Sequence, residues 1–262
     1  MTTKNEEKNI ENCLKSVLRQ TYPRDKIEII VVDNNSVDKT KEISLKYTEK
    51  VFDNGPERSA QRNYGVKQSQ GDCFLYLDAD MILSENVVAD CVEHVLKRED
   101  VVGLYIPEII MGKSFWCQSR RFERSFYNGT VIDCVRFVRK NKFLEVGGFD
   151  ETMSGPEDWD LDKKLKKLGK VELIKTPIYH NEGEFNLKKY LDKKSYYIKS
   201  FDKYIEKWGK NDPDVRKQFG LWYRYFLVFV EDGKWKKLLV HPILTCGMFM
   251  LRFLVGVRFL MR

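Results

Sequence analysis

The stretch that most constrains what this chain folds into is residues 73–81, where the apolar run Phe74-Leu75-Tyr76-Leu77 stops abruptly on Asp78 and Asp80. Gly71-Asp72 is a turn signal before it and Ser84-Glu85-Asn86 opens a helix after it, so the run reads as an interior strand of an α/β sheet. Open α/β sheets bind ligands beyond the carboxyl ends of their strands. Two carboxylates two residues apart repel each other unless a cation or hydrogen-bond donors neutralise them, and a hard divalent ion carrying phosphate oxygens would do so. The functional reading is a metal and diphosphate platform. The plainer reading is a polar strand end that caps the next helix.

The rest of the chain repeats this design. Ile10, Cys13, Leu14, Val17 and Leu18 recur at helical spacing within residues 6–20, with Glu6, Glu7 and Glu11 placed to suit the helix dipole. Residues 27–32 read as a buried β-branched strand that stops at Asp33-Asn34-Asn35-Ser36. Asp38 or Ser36 then caps a helix over residues 40–47, and Val51-Phe52 begins another strand. Arg58 and Arg62 fall one helical turn apart, on one side. A helix over 85–97 and a strand over 101–106 continue the alternation, which predicts a mainly parallel sheet with right-handed crossovers. Residues 115–127 read as a helix and 131–138 as a strand. A second carboxylate cluster, Glu157-Asp158-Trp159-Asp160, then opens an amphipathic helix striped by Leu161, Leu165 and Leu168. Either Asp158 or Asp160 alone would serve as its cap. Residues 171–174 form a last strand before Ile178-Tyr179-His180, and a single histidine is more often structural than a ligand.

At 262 residues the chain suits one large domain, or a domain with an appendage. Its formal charge of +7 permits nucleic acid, an anionic membrane or a phosphorylated substrate as partner. No zinc-finger spacing or aromatic RNA-binding motif accompanies that charge, so nucleic acid is not expected. The six cysteines form no C-x-x-C pair and several sit in apolar segments, which points to free thiols and a reducing, cytoplasmic setting.

Taken together, these residues resemble the glycosyltransferase family 2 pattern on the GT-A fold, a Rossmann-like, mainly parallel α/β sheet flanked by helices. The matching pieces are Thr3-Lys4-Asn5-Glu6-Glu7, Val31-Val32-Asp33-Asn34-Asn35-Ser36 with Asp38 and Thr40, Ala60-Gln61-Arg62-Asn63-Tyr64-Gly65, Asp78-Ala79-Asp80, residues 143–150, Gly155-Pro156-Glu157-Asp158-Trp159-Asp160-Leu161 and His180, in that order. The resemblance implies transfer of a sugar from a nucleotide diphosphate sugar, of UDP or GDP type, with inversion at the anomeric carbon. It implies that Thr3, Glu6 and Asp33 hold base and ribose, that Arg62 contacts the nucleotide, and that Asp78 and Asp80 hold ribose and Mn²⁺ or Mg²⁺. It further implies that His180 completes the metal site and that Asp158 is the general base. A base suits a sugar hydroxyl as acceptor, on a lipid-linked or cell-envelope glycan; a polyprenyl phosphate acceptor, the alternative, is already anionic and needs none. Two departures stand out. In the family an apolar central strand precedes the segment matched by residues 2–7, whereas Met1 stands directly before it here, and a missing strand is expected to leave neighbouring backbone groups unpaired. Asn34-Asn35 replaces the Asp-Gly of many relatives, which is expected to be tolerated.

The expected division is a catalytic domain at 1–209, with a nucleotide-sugar half at 1–106 and an acceptor half at 107–209, followed by a C-terminal helical region at 210–262. That region is rich in aromatics over 222–230 and apolar over 238–261, interrupted by Arg252 and Arg258. These charges favour an in-plane membrane-associating helix, aided by Lys234, Lys236 and Lys237 against anionic lipid, over a bilayer span. The other reading is a helix packed on the catalytic domain or in a dimer interface. The expected location is the cytoplasmic face of a membrane. Two rivals remain at this stage. A nucleotidyltransferase would need a Gly-rich basic loop near the N-terminus, which residues 1–7 lack. A catalytically crippled membrane scaffold would retain the acids without metal-dependent nucleotide binding.

Overall fold

The computed structural model describes residues 1–197 and 200–260. The first half runs β1 (Thr2–Thr3), α1 (Ile10–Leu18), β2 (Val31–Asp33), α2 (Thr40–Leu45), β3 (Val51–Asp53), α3 (Arg58–Gln68), β4 (Cys73–Leu75), β5 (Met81–Leu83), α4 (Val87–Lys97) and β6 (Val101–Tyr105). It continues with β7 (Glu108–Ile110), α5 (Phe115–Arg124), β8 (Val135–Arg139), α6 (Lys140–Glu145), α7 (Glu157–Lys166), β9 (Lys170–Leu173) and β10 (Ile178–His180). The C-terminal part is helical: α8 (Leu187–Tyr197), α9 (Phe201–Trp208), α10 (Pro213–Phe219), α11 (Val228–Val230), α12 (Trp235–Val240) and α13 (Pro242–Leu260). Met261, the last residue of the expected apolar stretch, lies outside the described residues.

The central sheet is mixed rather than mainly parallel. β1, β2 and β3 are parallel neighbours, and Thr2 pairs in parallel with Asp78, just beyond β4. β8, however, lies antiparallel between β4 and β6, and β9 completes the far edge parallel to β6. Apolar periodicity reports that a segment is a strand, not which way it runs. A second sheet, β5-β10-β7, stands at the carboxyl ends and has β10 antiparallel to β5 and parallel to β7.

A short strand, β1, occupies the place where a strand was expected to be missing. Thr2 and Thr3 pair with Val32 and Asp33, the Thr2 amide donates to Leu77 O at 3.0 Å, and the Met1 amine donates to Ile30 O at 2.8 Å. Backbone groups beside the acidic strand ends are thus satisfied where they are buried. Regular pairing in β2 begins only at Val31, so the expected strand over 27–32 is shortened at its start.

Both faces of the sheet are covered. Ile10, Leu14, Val17, Val31, Leu77 and Leu104 join α1 and α4 to one face, and Val66, Val102, Val135, Phe143 and Leu161 join α3, α6 and α7 to the other. Gly103 has no room for a side chain, since a Cβ there would meet Val135 Cγ2 at 2.7 Å. All six cysteines are free; Cys13 and Cys91 are buried, and burial pushes the Cys13 thiol up to about 12.

The chain beyond residue 209 packs on the same body. Asp212 and Asp214 accept from Lys163 of α7 at 2.7 and 3.1 Å, and Val215 and Phe219 join Tyr204, Trp159 and Trp208 in one cluster. Met248 of α13 packs with Phe122, Phe126 and Phe229. Arg252 turns inward: its guanidinium donates to Glu123 Oε1 of α5 at 2.6 Å, to the Tyr127 hydroxyl and to Arg224 O. Among the described residues, no helix is long and apolar enough to cross a membrane. α12 nevertheless exposes Leu239 and Val240, and α13 exposes Ile243, Met250 and Phe253, which at spacings of seven and three share one side of that helix. Lys234 is held inward by Phe126 O and Glu231, leaving Lys236 exposed on α12.

Breaking the buried Arg252–Glu123 pair on one side strands a charge. Arg252→Met is expected to cost about 3 kcal/mol in urea unfolding, and the double variant Arg252→Met/Glu123→Leu less than the sum of the two single changes.

Candidate active site

Four elements converge at the carboxyl ends of the central strands. The extended chain continuing β4 presents Tyr76 and Asp78 on one side, the period expected of a strand, and then turns, with the Met81 amide donating to Asp78 O at 3.0 Å. Asp80 lies in that turn. β10 runs beside β5 in a register that sets His180 opposite Met81, so His180 Nε2 lies 3.1 Å from Asp80 Oδ2. Gly155-Pro156 leads into α7, whose first turn carries Asp158. α3 supplies Arg58 and Arg62.

Arg62 is the hub of this site. Its guanidinium is buried, donates to Asp158 Oδ1 at 2.8 Å and to Asp78 Oδ1 at 3.2 Å, and rests on the Tyr76 ring at 4.6 Å. The Tyr76 hydroxyl lies 3.2 Å from Asp158 Oδ1 and shares its one proton between that oxygen and the nearer Val135 O. Asp78 is further approached by Arg58 at 3.8 Å and Arg136 at 4.0 Å, and it accepts from Thr2 Oγ1 at 3.0 Å. Burial alone would raise the pKa of Asp78, but these arginines outweigh it and hold the carboxyl well below the usual carboxylate range. Asp80 is different: its Oδ1 is buried with no hydrogen-bond partner, and its recorded ion pair is with His180.

The expected residues are not all in the same place. Thr3, Glu6, Asp78, Asp80, Asp158 and His180 line one cleft, together with Asn34, Arg58 and Gln61. Thr3 Oγ1 is, like Asp80 Oδ1, buried without a partner. Glu6 lies ahead of α1 rather than in it, bonded to Asn9 at 2.8 Å; burial raises its pKa, and nearby Asp80, Asp38 and Asp78 add to that. Asp33 and Arg62 are buried and are not among the residues lining this cleft. The Asp33 carboxylate is fully buried and spent on the Ser36 amide and hydroxyl at 2.6 and 2.5 Å, which shapes the loop that presents Asn34. Asn35 sits at φ 51°, a left-handed conformation that asparagine accepts, which explains how Asn replaces Gly here.

Sequence reading missed Glu108, Arg136, Arg124, Tyr76 and Glu157. Glu108 follows Pro107 at the start of β7 and pairs with Arg136 at 2.6 Å and Arg124 at 3.3 Å, with His180 Nδ1 3.9 Å away. Burial opposes its charge, yet the two arginines and His180 hold its carboxyl far below the usual range. Glu157 is buried next to Asp158, and burial first, then that neighbour, raises its pKa. The available signal was only a polar residue just past a strand end, which is common to many loops.

Comparison with known proteins agrees with this geometry. The family described as glycosyl transferase family 2 matches residues 1–149, more than half of the chain. A Methanococcus voltae protein named dolichyl N-acetyl-alpha-D-glucosaminyl phosphate 3-beta-D-2,3-diacetamido-2,3-dideoxy-beta-D-glucuronosyltransferase is 26% identical over 198 residues, 64% of this chain and 60% of that protein. The chain spans less than two thirds of the length of most curated relatives it matches. Among solved structures, the mannosyltransferase PcManGT of Pyrobaculum calidifontis in complex with GDP-Man and Mn²⁺ superposes with a TM-score of 0.64 at 18% identity, covering 94% of this chain and 72% of that one. TarS 1-349 of S. aureus in complex with UDP-GlcNAc gives 0.58 at 18% identity, with 95% and 78% covered. Both share the fold.

Depressed carboxylate pKa values add stability that is full above the unfolded value of about 4 and is lost as pH falls below it. Asp78 and Glu108 are such groups, so Tm is expected to drop as pH is lowered from about 5 to 3. Glu108→Gln should lower Tm at neutral pH and make that acid limb shallower; an unchanged limb would show that Glu108 is not depressed. With an α/β sheet that gathers these acids at its strand ends and a family match over residues 1–149, this chain belongs to glycosyl transferase family 2.

Proposed function

We propose that this chain transfers a sugar from a nucleotide diphosphate sugar to a hydroxyl of a lipid-linked or cell-envelope glycan, with inversion and with metal assistance. The observation that carries the reading is the contrast between the two strand-end acids: Asp78 is neutralised by three arginines, whereas Asp80 keeps a buried, unpartnered oxygen beside His180 in the same cleft as Asp158. The residues present fit a divalent cation. Asp80 and His180 would hold it, with diphosphate oxygens supplying the rest of the shell, the habit of Mg²⁺ and Mn²⁺ with nucleotide substrates. When bound, the ion offsets the charge that builds on the diphosphate leaving group. The nucleotide complexes of the two solved relatives, one of them with Mn²⁺, support this assignment.

The protein residues divide the remaining work. Thr3 and Glu6 line the nucleotide end of the cleft, and Arg58, at its edge, suits an anionic donor. Asp158 takes the proton of the attacking hydroxyl as the new glycosidic C–O bond forms and the bond to the diphosphate breaks. Both recorded bonds to Asp158 end on Oδ1, so Oδ2 is the oxygen left for that proton. Arg62 and Tyr76 hold the carboxylate in place. The requirement for a base favours a hydroxyl acceptor over a phosphate. The relative that acts on a dolichyl-linked sugar supports a lipid-linked one.

The exposed apolar residues of α12 and α13 fit an in-plane membrane contact at the cytoplasmic face, with Lys236 toward anionic headgroups and Arg252 turned away into the protein. Vesicle flotation tests this. The full chain is expected to float with anionic vesicles and to be released by carbonate, and Ile243→Glu/Phe253→Glu to remain in solution.

Thermal shift with UDP, GDP and dTDP, each with and without Mn²⁺, tests the donor site. One nucleotide is expected to raise Tm in a manganese-dependent way, and Asp80→Ala to abolish that shift. Asp158→Asn should keep the shift while lowering kcat by about 10²- to 10⁴-fold. No shift with any nucleotide from a cooperatively melting chain would favour the scaffold reading.

A further inference from the structure

The cleft does not end at the catalytic acids. It continues as one cavity of about 1480 Å³ into the C-terminal helices, larger than the roughly 300–1,000 Å³ that a small-molecule ligand fills. Its far arm is walled by Leu191 of α8, by Trp222 and Phe226 of the segment after α10, and by Phe253 and Val257 of α13. Trp222, Phe226 and Phe253 are themselves exposed, and Phe253 belongs to the apolar stripe of α13, so the arm opens at that stripe.

One cation in this arm stands apart. The other arginines that line the cavity each reach a carboxylate: Arg58, Arg120, Arg124, Arg136, Arg252 and Arg258 are all ion-paired. The Arg224 guanidinium has no such partner among the described residues, although its side chain is only partly exposed. Burial, aided by Arg252, lowers its pKa below the ordinary arginine value against the opposing pull of Tyr127 and Glu123. Its backbone is held firmly. Arg224 O accepts from Arg252, the Tyr225 hydroxyl donates to Arg252 O at 2.9 Å, and residues Tyr223–Leu227 form a π-helical turn, a feature frequent at functional sites.

We propose that Arg224 binds the phosphate or diphosphate of a lipid-linked acceptor, with the lipid chain leaving along the apolar arm towards the exposed stripe and the acceptor sugar reaching towards Asp158. An apolar arm holding a guanidinium with no ion-pair partner among the described residues matches an amphipathic anion. A free polar glycan would leave the aromatic wall unused, and a neutral lipid would leave the charge unpaired. This assignment rests on the transferase reading above and makes its acceptor class specific.

The test is a calorimetric titration of the full chain with farnesyl diphosphate, farnesol, inorganic diphosphate and dihexanoyl phosphatidic acid. The nucleoside diphosphate and Mn²⁺ that give the largest thermal shift are present at saturation. Farnesyl diphosphate is expected to bind with the nucleotide in place and more tightly than the other three. Arg224→Gln should weaken it by about tenfold or more, and Arg224→Lys should retain part of the affinity. Equal affinity in a cooperatively melting Arg224→Gln variant would overturn the assignment. So would displacement of the probe by the nucleotide, which would place it at Asp80, or equal binding of the phosphatidic acid, which would make the arm a general lipid contact. If no nucleotide shifts Tm, the titration is run without one. Arg224-dependent binding would then survive the failure of the donor reading, so the two are separable.

Discussion

The guanidinium of Arg62, buried between Asp78 and Asp158, is the interaction on which the rest of the site depends. Two carboxylates from a strand end and a helix start, with Glu157 beside them, could not be buried together without a cation among them. Arg62 satisfies both partners and stacks on Tyr76, the residue whose hydroxyl also reaches Asp158. Asp78 and Asp158 are therefore tied through one side chain. Helix α3, which carries it, is in turn fixed by Gln61 donating to Val32 O and Thr3 O at 2.7 and 3.1 Å. The site and the sheet beneath it are one construction.

That construction also sorts the charges. Arginine compensation is concentrated on Asp78 and Glu108, leaving Asp80 with an unpartnered oxygen at the cleft. A pair of acids that looks equivalent along the chain thus becomes one neutralised anchor and one carboxylate with an unpartnered oxygen. The short β1 contributes to this sorting. It places Thr2 against Asp78 and Thr3 in the lining, and its pairing with β2 closes the sheet where the acids emerge.

The C-terminal helices complete the cleft instead of standing apart from it. α13 is anchored by Arg252 in a pocket made with Glu123 and Tyr127, so its buried side packs on α5 while its opposite side carries the exposed stripe. A charge that reads in sequence as an interruption of an apolar run is, in the fold, the pin that orients the run. The same packing brings Trp222, Phe226 and Phe253 into the lining of the cleft that holds Asp78, Asp80 and Asp158.

What the sequence by itself determined is what local chemistry dictates. Apolar runs ending on Asp33, on Asp78 and Asp80, and on His180 marked the strand ends, and Gly155-Pro156 before an acidic first turn marked α7. Because side-chain period and turn chemistry are local, these places and the family were legible, and six of the eight expected site residues do line one cleft. Tertiary structure alone decided the direction of β8, the inward turn of Arg252, and which acids are neutralised. Arg62 reaches Asp158 across 96 positions and Arg252 reaches Glu123 across 129. A charge's worth depends on what surrounds it after burial, and no period in the chain encodes contacts at that separation. For the same reason the chain alone does not show that Asp33 is engaged by Ser36, or Arg62 by Asp78 and Asp158.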